Sequence, residues 1–156
     1  MKKILLTLCA ALILCNLYPQ ESLRRWRKTN QIRLDKFNLI LPEVMRENKI
    51  DMWIIMNREG NFDPLYAEMG EGYVGHTGYY IFTDTGKPRI ERAVLGIDGY
   101  LLEETKAYDY FGAESELKEF VAKRDPKRIG LNMSKDIGGA RSEEHTSELQ
   151  SLRHIS

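Results

Sequence analysis

A short apolar run, Asp51-Met-Trp-Ile-Ile-Met56, constrains the fold of this chain more than any other feature. A strand reads as continuously apolar when other elements cover both of its faces, whereas a half-exposed strand alternates between apolar and polar residues. The run therefore predicts a β-strand in a sheet that is covered by helices.

The segment before this run supplies the first helix, predicted over Ile32–Asn48. Apolar residues recur there at steps of three and four, which gives one apolar stripe. These residues are Leu34, Phe37, Leu41 and Met45. Pro42 lies inside the pattern and has no amide hydrogen, so we expect the helix to kink or break at that position.

The rest of the chain alternates between strands and helices. The segment Asn57–Gly75 is predicted to be irregular, with one helical turn near Pro64–Met69. Farther along the chain, Ser115 is a suitable cap for a late helix. Asp84-Thr85-Gly86 is a turn signal that predicts a hairpin. The predicted elements are strands Gly78–Thr83, Arg89–Leu95, Ala107–Phe111 and Arg128–Met133 and helix Ser115–Lys123. This order predicts an α/β domain with a mixed β-sheet flanked by helices.

Residues 1–19 are typical of a signal peptide. Lys2 and Lys3 precede an apolar run that is too short to span a bilayer comfortably. We therefore expect export to the periplasm or the medium; lipidation of Cys15 is the less favoured alternative because a bulky residue precedes it. Cys9 and Cys15 are the only cysteines, so the exported domain would have no disulfide and no thiol site.

The charge of the chain is balanced. Its 23 lysines and arginines equal its 23 aspartates and glutamates, so no overall field attracts it to nucleic acid or to an anionic membrane. The only basic run lies in residues 20–32, around Trp26. We interpret these residues as a solvated, basic lead-in to the first helix and expect no nucleic-acid partner.

The last segment, residues 141–156, matches the translation of a common short-read sequencing adapter. RSEEHTSELQS agrees with one frame of the adapter residue for residue, and Ile155-Ser156 falls where the adapter resumes after its index. We therefore expect the natural sequence to extend only to about Ala140, so that a domain of residues 33–140 lacks its last elements. On this interpretation His145 and His154 are no candidates for a metal site.

Residues 20–140 offer few candidates for chemistry. His76 is the only histidine there, and a lone histidine among glycines and tyrosines is expected to line a pocket or support structure rather than to catalyse a reaction. Asp63, Glu68 and Glu71 are nearby carboxylates, but their spacing marks neither a metal set nor an acid–base pair. We assign no catalytic, cofactor-binding or metal residue.

The string Gly70-Glu-Gly72-Tyr-Val-Gly75 has the glycine spacing of dinucleotide sites. Such a site needs the string after a strand and at the start of a helix. Here an irregular segment precedes it and a strand-like segment follows, so we interpret it as a glycine-rich connector.

Several segments together resemble the amino-terminal domain of a known enzyme family. RLDKFNLILPEVMRENKIDMWIIMNREGN resembles the start of the creatinase/prolidase-type domain of Xaa-Pro aminopeptidases, which belong to the M24 metallopeptidases. DPLY, GYVGHTGYYIFTD and RIGLNMSKDIGGA are similar to the version in exported bacterial members. The resemblance covers about residues 33–140 and implies an α/β domain with a mixed sheet.

The resemblance also implies properties of a longer parent protein. In such enzymes a carboxy-terminal catalytic domain binds two divalent metals, usually manganese, cobalt or zinc, through two aspartates, a histidine and two glutamates. The metals activate a bridging water that attacks an amide carbonyl. The amino-terminal domain often mediates homo-oligomer contacts and walls one side of the peptide-substrate pocket. No position of this chain matches the ligand set, so this piece is expected to be non-catalytic and to need that missing domain.

Two other interpretations stay open. The parent could be a family member without catalytic activity that serves as a binding or assembly module. Alternatively, the chain is a small exported α/β ligand-binding protein that uses the segment Gly60–Gly78 as a pocket. The downstream gene sequence would distinguish these two interpretations from each other and from a catalytic parent.

Overall fold

The computed structural model of the protein describes residues 20–132, which fall into two compact units divided in sequence after Leu34. In the first unit, residues 20–34 are helical and form α1. The interpretation of residues 20–32 as a lead-in before the first helix is therefore wrong. Glu21 binds Arg24 at 2.9 Å and Arg25 at 3.0 Å, pairs at helical spacing that stabilise a polar helix. No helix within residues 20–132 has the length and apolar character needed to cross a membrane.

The second unit contains a five-stranded mixed sheet with helices, which confirms the predicted α/β class. Its elements follow the predicted order, with one additional short helix, α4. They are a π-helical turn Lys36–Ile40, α2 Leu41–Glu47, β1 Met52–Arg58, α3 Tyr66–Met69, β2 Tyr73–Thr83, β3 Glu91–Asp98, α4 Tyr100–Glu104, β4 Tyr110–Gly112, a 3₁₀ turn Glu114–Glu116, α5 Leu117–Arg124 and β5 Ile129–Leu131. Residues 1–19 and 133–156, with the predicted signal peptide and adapter-derived tail, lie outside the described residues.

Pro42 is accommodated by the π-helical turn. A proline cannot donate to the carbonyl four residues earlier, so a regular α-helix would leave that carbonyl without its bond. Instead the helix widens, and the amide of Leu41 donates to the carbonyl of Lys36, five residues back. Pro42 then occupies the first turn of α2, where its missing hydrogen costs nothing. The expected kink or break thus takes the form of a π turn.

The end of α2 is closed by Lys49 in a left-handed conformation. Its φ is +56°, and its amide donates to the carbonyl of Arg46 at 3.0 Å, while the amide of Ile50 donates to that of Met45 at 2.8 Å. This pair of bonds is a Schellman motif, in which glycine is the preferred left-handed residue. The motif turns the chain directly into β1.

The strands lie in the order β4-β3-β2-β1-β5. β2 pairs antiparallel with both β1 and β3, whereas the two outer pairs, β1 with β5 and β3 with β4, are parallel. Asp51 ties the start of β1 to the start of β5, because its carboxylate accepts the amides of Lys127 and Arg128, both at 2.8 Å. The predicted hairpin is confirmed, and the first strand is largely buried, with Trp53 and Arg58 partly exposed.

One face of the sheet is aliphatic and is covered by α5. Alternate residues of the strands pack there on Leu117, Phe120 and Val121. These strand residues are Met52, Ile54, Met56, Tyr79, Ile81, Ala93 and Leu95. We call this the aliphatic face.

The opposite face is aromatic and contains a buried cation. Phe37 from the π turn meets Phe82 edge-on at a centroid distance of 5.1 Å and Tyr108 at 5.9 Å. The guanidinium of Arg92 lies 5.1 Å from the centre of the Phe37 ring and also donates to Asn38. We call this the aromatic face.

Some predicted details differ from the structure. Ser115 does not cap α5; Glu116 instead accepts the amide of Ala113 at 2.9 Å, at the start of the 3₁₀ turn. β2 begins at Tyr73 rather than Gly78, because its glycine-rich first half still pairs with its neighbours. These glycines had made the segment look irregular in sequence.

Candidate functional site

The most irregular part of the sheet is a bulge in β2. Tyr73 pairs with Asp98 and Val74 with Ile97, but the next pair is Tyr79 with Leu95. Four residues of β2, 75–78, therefore lie opposite the single residue Gly96 of β3. Bulges of this kind redirect side chains and occur often next to binding sites.

Two glycines make this bulge possible. Gly96 has a φ of +67°, and a Cβ there would lie 2.4 Å from the carbonyl oxygen of Thr77. A Cβ on Gly78 would lie 2.3 Å from Cγ1 of Ile97. Any larger residue at these two positions would force the strands apart.

A cleft of about 480 Å³ opens at the bulge, and we call it the bulge cleft. This volume is in the range of sites that hold small molecules. Its walls come from β2, the end of β3, α4, β4 and the 3₁₀ turn. Its side-chain walls include Tyr73, His76, Thr77, Ile97, Asp98, Glu103, Phe111 and Glu114.

His76 lies at the mouth of the bulge cleft, with 70% of its side chain exposed. Its Nδ1 is 3.2 Å from Oε1 of Glu114 and 3.1 Å from Oγ1 of Thr77. In the Nδ1–H tautomer the imidazole donates to the Glu114 carboxylate, and this bond links β2 to the 3₁₀ turn. The expectation that His76 lines a pocket is confirmed, and its partner Glu114 comes from a distant part of the sequence.

Two other carboxylates of the bulge cleft, Asp98 and Glu103, have no hydrogen-bond or ion-pair partner among residues 20–132. No lysine or arginine of these residues lines the cleft. The cleft therefore carries excess negative charge, and its rim includes the exposed rings of Tyr73 and Phe111.

A second, smaller cleft of about 250 Å³ lies between β4 and α5 and differs in its charges. Here Arg124 binds Glu91 through two bonds of 2.6 and 2.7 Å and lies 3.3 Å from the centre of the Phe120 ring. The Tyr110 hydroxyl donates to Glu116, and this bond raises the pKa of Tyr110 and lowers that of Glu116. The main charges of this cleft are thus paired internally.

The first half of the glycine-rich string, residues 70–72, connects α3 to β2 as predicted, whereas its second half, residues 73–75, begins β2. Its carbonyls and that of the preceding Met69 are held by tyrosine hydroxyls: Tyr108 donates to Met69 at 2.6 Å, Tyr80 to Gly70 and Tyr66 to Gly72. The string leads directly into a strand rather than a helix. It therefore lacks the geometry that binds a pyrophosphate.

The carboxylates near His76 in sequence do not join it in the bulge cleft. Asp63 is buried and accepts the amide of Leu65 at 2.8 Å, and Glu68 pairs with Lys36 at 2.7 Å. Glu71 is exposed and lies outside the cleft lining. Nothing in the sequence spacing of Asp98, Glu103 and Glu114 relates them to His76, so the sequence alone does not place them in one site.

No group of three or more histidine, cysteine, aspartate or glutamate side chains within residues 20–132 is arranged to hold a metal ion. The bulge cleft combines a histidine–carboxylate pair, two further carboxylates and aromatic rings, an arrangement suited to binding. Comparisons of the chain with protein-family models, curated proteins and solved structures gave no match.

Proposed function

We propose that this chain is the non-catalytic, creatinase/prolidase-type amino-terminal domain of an exported dinuclear metallopeptidase that resembles Xaa-Pro aminopeptidases. The parent would hydrolyse the bond after an amino-terminal residue that precedes proline. Two divalent ions, manganese, cobalt or zinc, would be held by a further catalytic domain, and the parent would form homo-oligomers. The present domain would wall the peptide-substrate pocket.

One observation carries the proposal: the separate segments that resemble the family are bonded to one another. Asn132, in the segment that forms β5, accepts from Nε1 of Trp53 in β1 at 2.9 Å. The same amide donates to the buried carboxylate of Asp63 at 3.2 Å, and the amide of Asp63 donates to Asn57 in β1 at 3.0 Å. These bonds place the resembling segments in one domain, which the resemblance requires.

The test is to read the source DNA past codon 140 with adapters trimmed and to express the extended protein. We expect the downstream sequence to encode the two aspartates, the histidine and the two glutamates. We also expect the extended protein to cleave an Xaa-Pro peptide only with a divalent metal, and replacement of one downstream aspartate by asparagine to abolish cleavage. A complete reading frame without these ligands would rule out the peptidase.

The bulge cleft favours a second candidate, a small exported ligand-binding protein. Four of its lining residues, Tyr73, Gly75, His76 and Thr77, belong to the segment Gly60–Gly78 that was predicted to form a pocket. This candidate requires a natural stop codon soon after Ala140. It also requires that a small molecule bind the chain without any downstream domain.

A further inference from the structure

We propose that the bulge cleft is a binding site for an organic cation, namely a primary ammonium group carried on an apolar or peptide-like body. The proposed peptidase function assigns no role to this cleft, and the inference does not rest on that function. It holds for the chain whether or not a catalytic domain follows.

The first reason is the exposure of the aromatic walls. Two large rings stay exposed at the cleft, with Tyr73 67% and Phe111 37% exposed. Aromatic rings that border a concave site offer both an apolar surface and a negative π-face. A cation placed over such a ring gains a cation–π interaction.

The second reason is the charge of the cleft. Asp98 and Glu103 have no partner among the described residues, and Glu114 is shared with His76. A small cleft lined mainly by one sign of charge concentrates ligands of the opposite sign. An ammonium ion could approach both carboxylates without displacing a resident lysine or arginine.

The third reason is that the molecule uses the same combination elsewhere with one of its own cations. Arg124 is held by the carboxylate of Glu91 and the ring of Phe120. The bulge cleft is also lined by rings and carboxylates, but no arginine or lysine of residues 20–132 lines it. A cation from outside completes the arrangement.

The experiment titrates the full chain with three small probes and follows binding by NMR chemical-shift changes. N-acetyl-lysine methylamide carries a side-chain ammonium, and alanyl-alanine amide carries an amino-terminal ammonium. N-acetyl-norleucine methylamide has the same shape as the first probe without its charge. We expect at least one ammonium probe to shift the signals of Gly75, Gly96 and Gly112, and the neutral probe to shift none of them. The two charged probes distinguish a basic side chain from a peptide amino terminus as the natural ligand.

Variants then locate the site. We expect Asp98→Asn with Glu103→Gln to weaken ammonium binding about tenfold, and Tyr73→Leu to weaken it about threefold, since each removes a modest charge or cation–π interaction. The matched control, Glu43→Gln with Glu47→Gln, changes the net charge equally on exposed positions of α2 and should leave binding unchanged. Circular dichroism confirms that each variant is folded.

Salt dependence provides a test that needs no variant. Added NaCl screens charges near the surface, so it should weaken binding of the ammonium probe. Equal binding of the norleucine probe, unchanged binding to the Asp98/Glu103 variant, or absence of any shift at millimolar probe would each overturn the proposal.

Discussion

The two faces of the sheet are covered and buried in different ways. The aliphatic face is closed by α5 with apolar side chains, and its nearest ion pair, Arg124 with Glu91, remains at the partly exposed rim. The aromatic face is closed by the π turn and buries the whole side chain of Arg92, which is 1% exposed. Its Nε has no hydrogen-bond partner among the described residues. The aromatic face therefore buries a charged side chain among its rings, whereas the aliphatic face buries mainly apolar side chains.

The largest effect is expected when Arg92 is removed. Arg92→Ala should lower the free energy of unfolding by about 4 kcal/mol, because it leaves a large cavity and removes the contacts with Phe37 and Asn38. Arg92→Met retains most of the volume and avoids burial of a charge, so it should stay within about 1 kcal/mol of the wild type. Urea denaturation of the full chain measures both. Equal losses for alanine and methionine would show that the guanidinium itself is needed.

The wild type and Arg92→Met can also be compared as a function of pH. Burial, followed by the nearby charge of Arg89, lowers the pKa of Arg92 to about 10. The protonated form is therefore less stable in the folded than in the unfolded chain, and this cost is complete below the folded pKa. The stability of the wild type relative to Arg92→Met should therefore stay constant up to about pH 9 and rise from about pH 10 to about pH 11. A constant difference across this range would contradict a shifted arginine.

On the aliphatic face we expect a loss that follows side-chain volume. Ile81 is fully buried between Ile54 and Ala93, so Ile81→Ala should cost about 3 kcal/mol and Ile81→Val about 1 kcal/mol. Thermal and urea unfolding measure both variants. If alanine cost no more than valine, α5 would have to move into the cavity, and the face would be more adaptable than its packing indicates.

The rim of the aliphatic face should matter less. Arg124→Met removes the bidentate pair with Glu91 and the stacking on Phe120, and we expect a loss of about 1 kcal/mol that shrinks in high salt. Arg124→Lys keeps the charge but lacks the planar guanidinium that makes two parallel hydrogen bonds, so its stability should lie between those of Arg124→Met and the wild type. If Arg124→Met lowered the free energy of unfolding as much as Arg92→Ala, a charged side chain at the rim would matter as much as one in the interior.

The smallest effect is a gain at the end of α2. Lys49→Gly should stabilise the protein by about 0.5 kcal/mol, because glycine adopts the left-handed conformation without steric cost. Lys49→Ala keeps the Cβ and should bring no gain. Melting temperatures of the three proteins check this; a gain with alanine would assign the effect to the lysine charge.

Much of the fold was predictable because local patterns and tertiary contacts agree. The apolar run at residues 51–56, the stripe of Phe37, Leu41 and Met45, and the turn at Asp84–Gly86 all lie where the pattern placed them. The start of α1 was missed because its polar sequence has no apolar stripe. The short helix α4 was missed for a similar reason, since five residues are too few to show a helical pattern of apolar side chains.

The sequence by itself determined the class of fold, the helix-to-strand entry and the hairpin, because these follow from residue periodicity and turn chemistry over short stretches. The resemblance to a metallopeptidase domain also came from the sequence alone and remains a proposal. Only the tertiary structure decided the bulge cleft. His76, Asp98 and Glu114 come together there because the bulge in β2 shifts the strand register, and register depends on close packing between Gly78, Gly96 and their neighbours rather than on any local pattern.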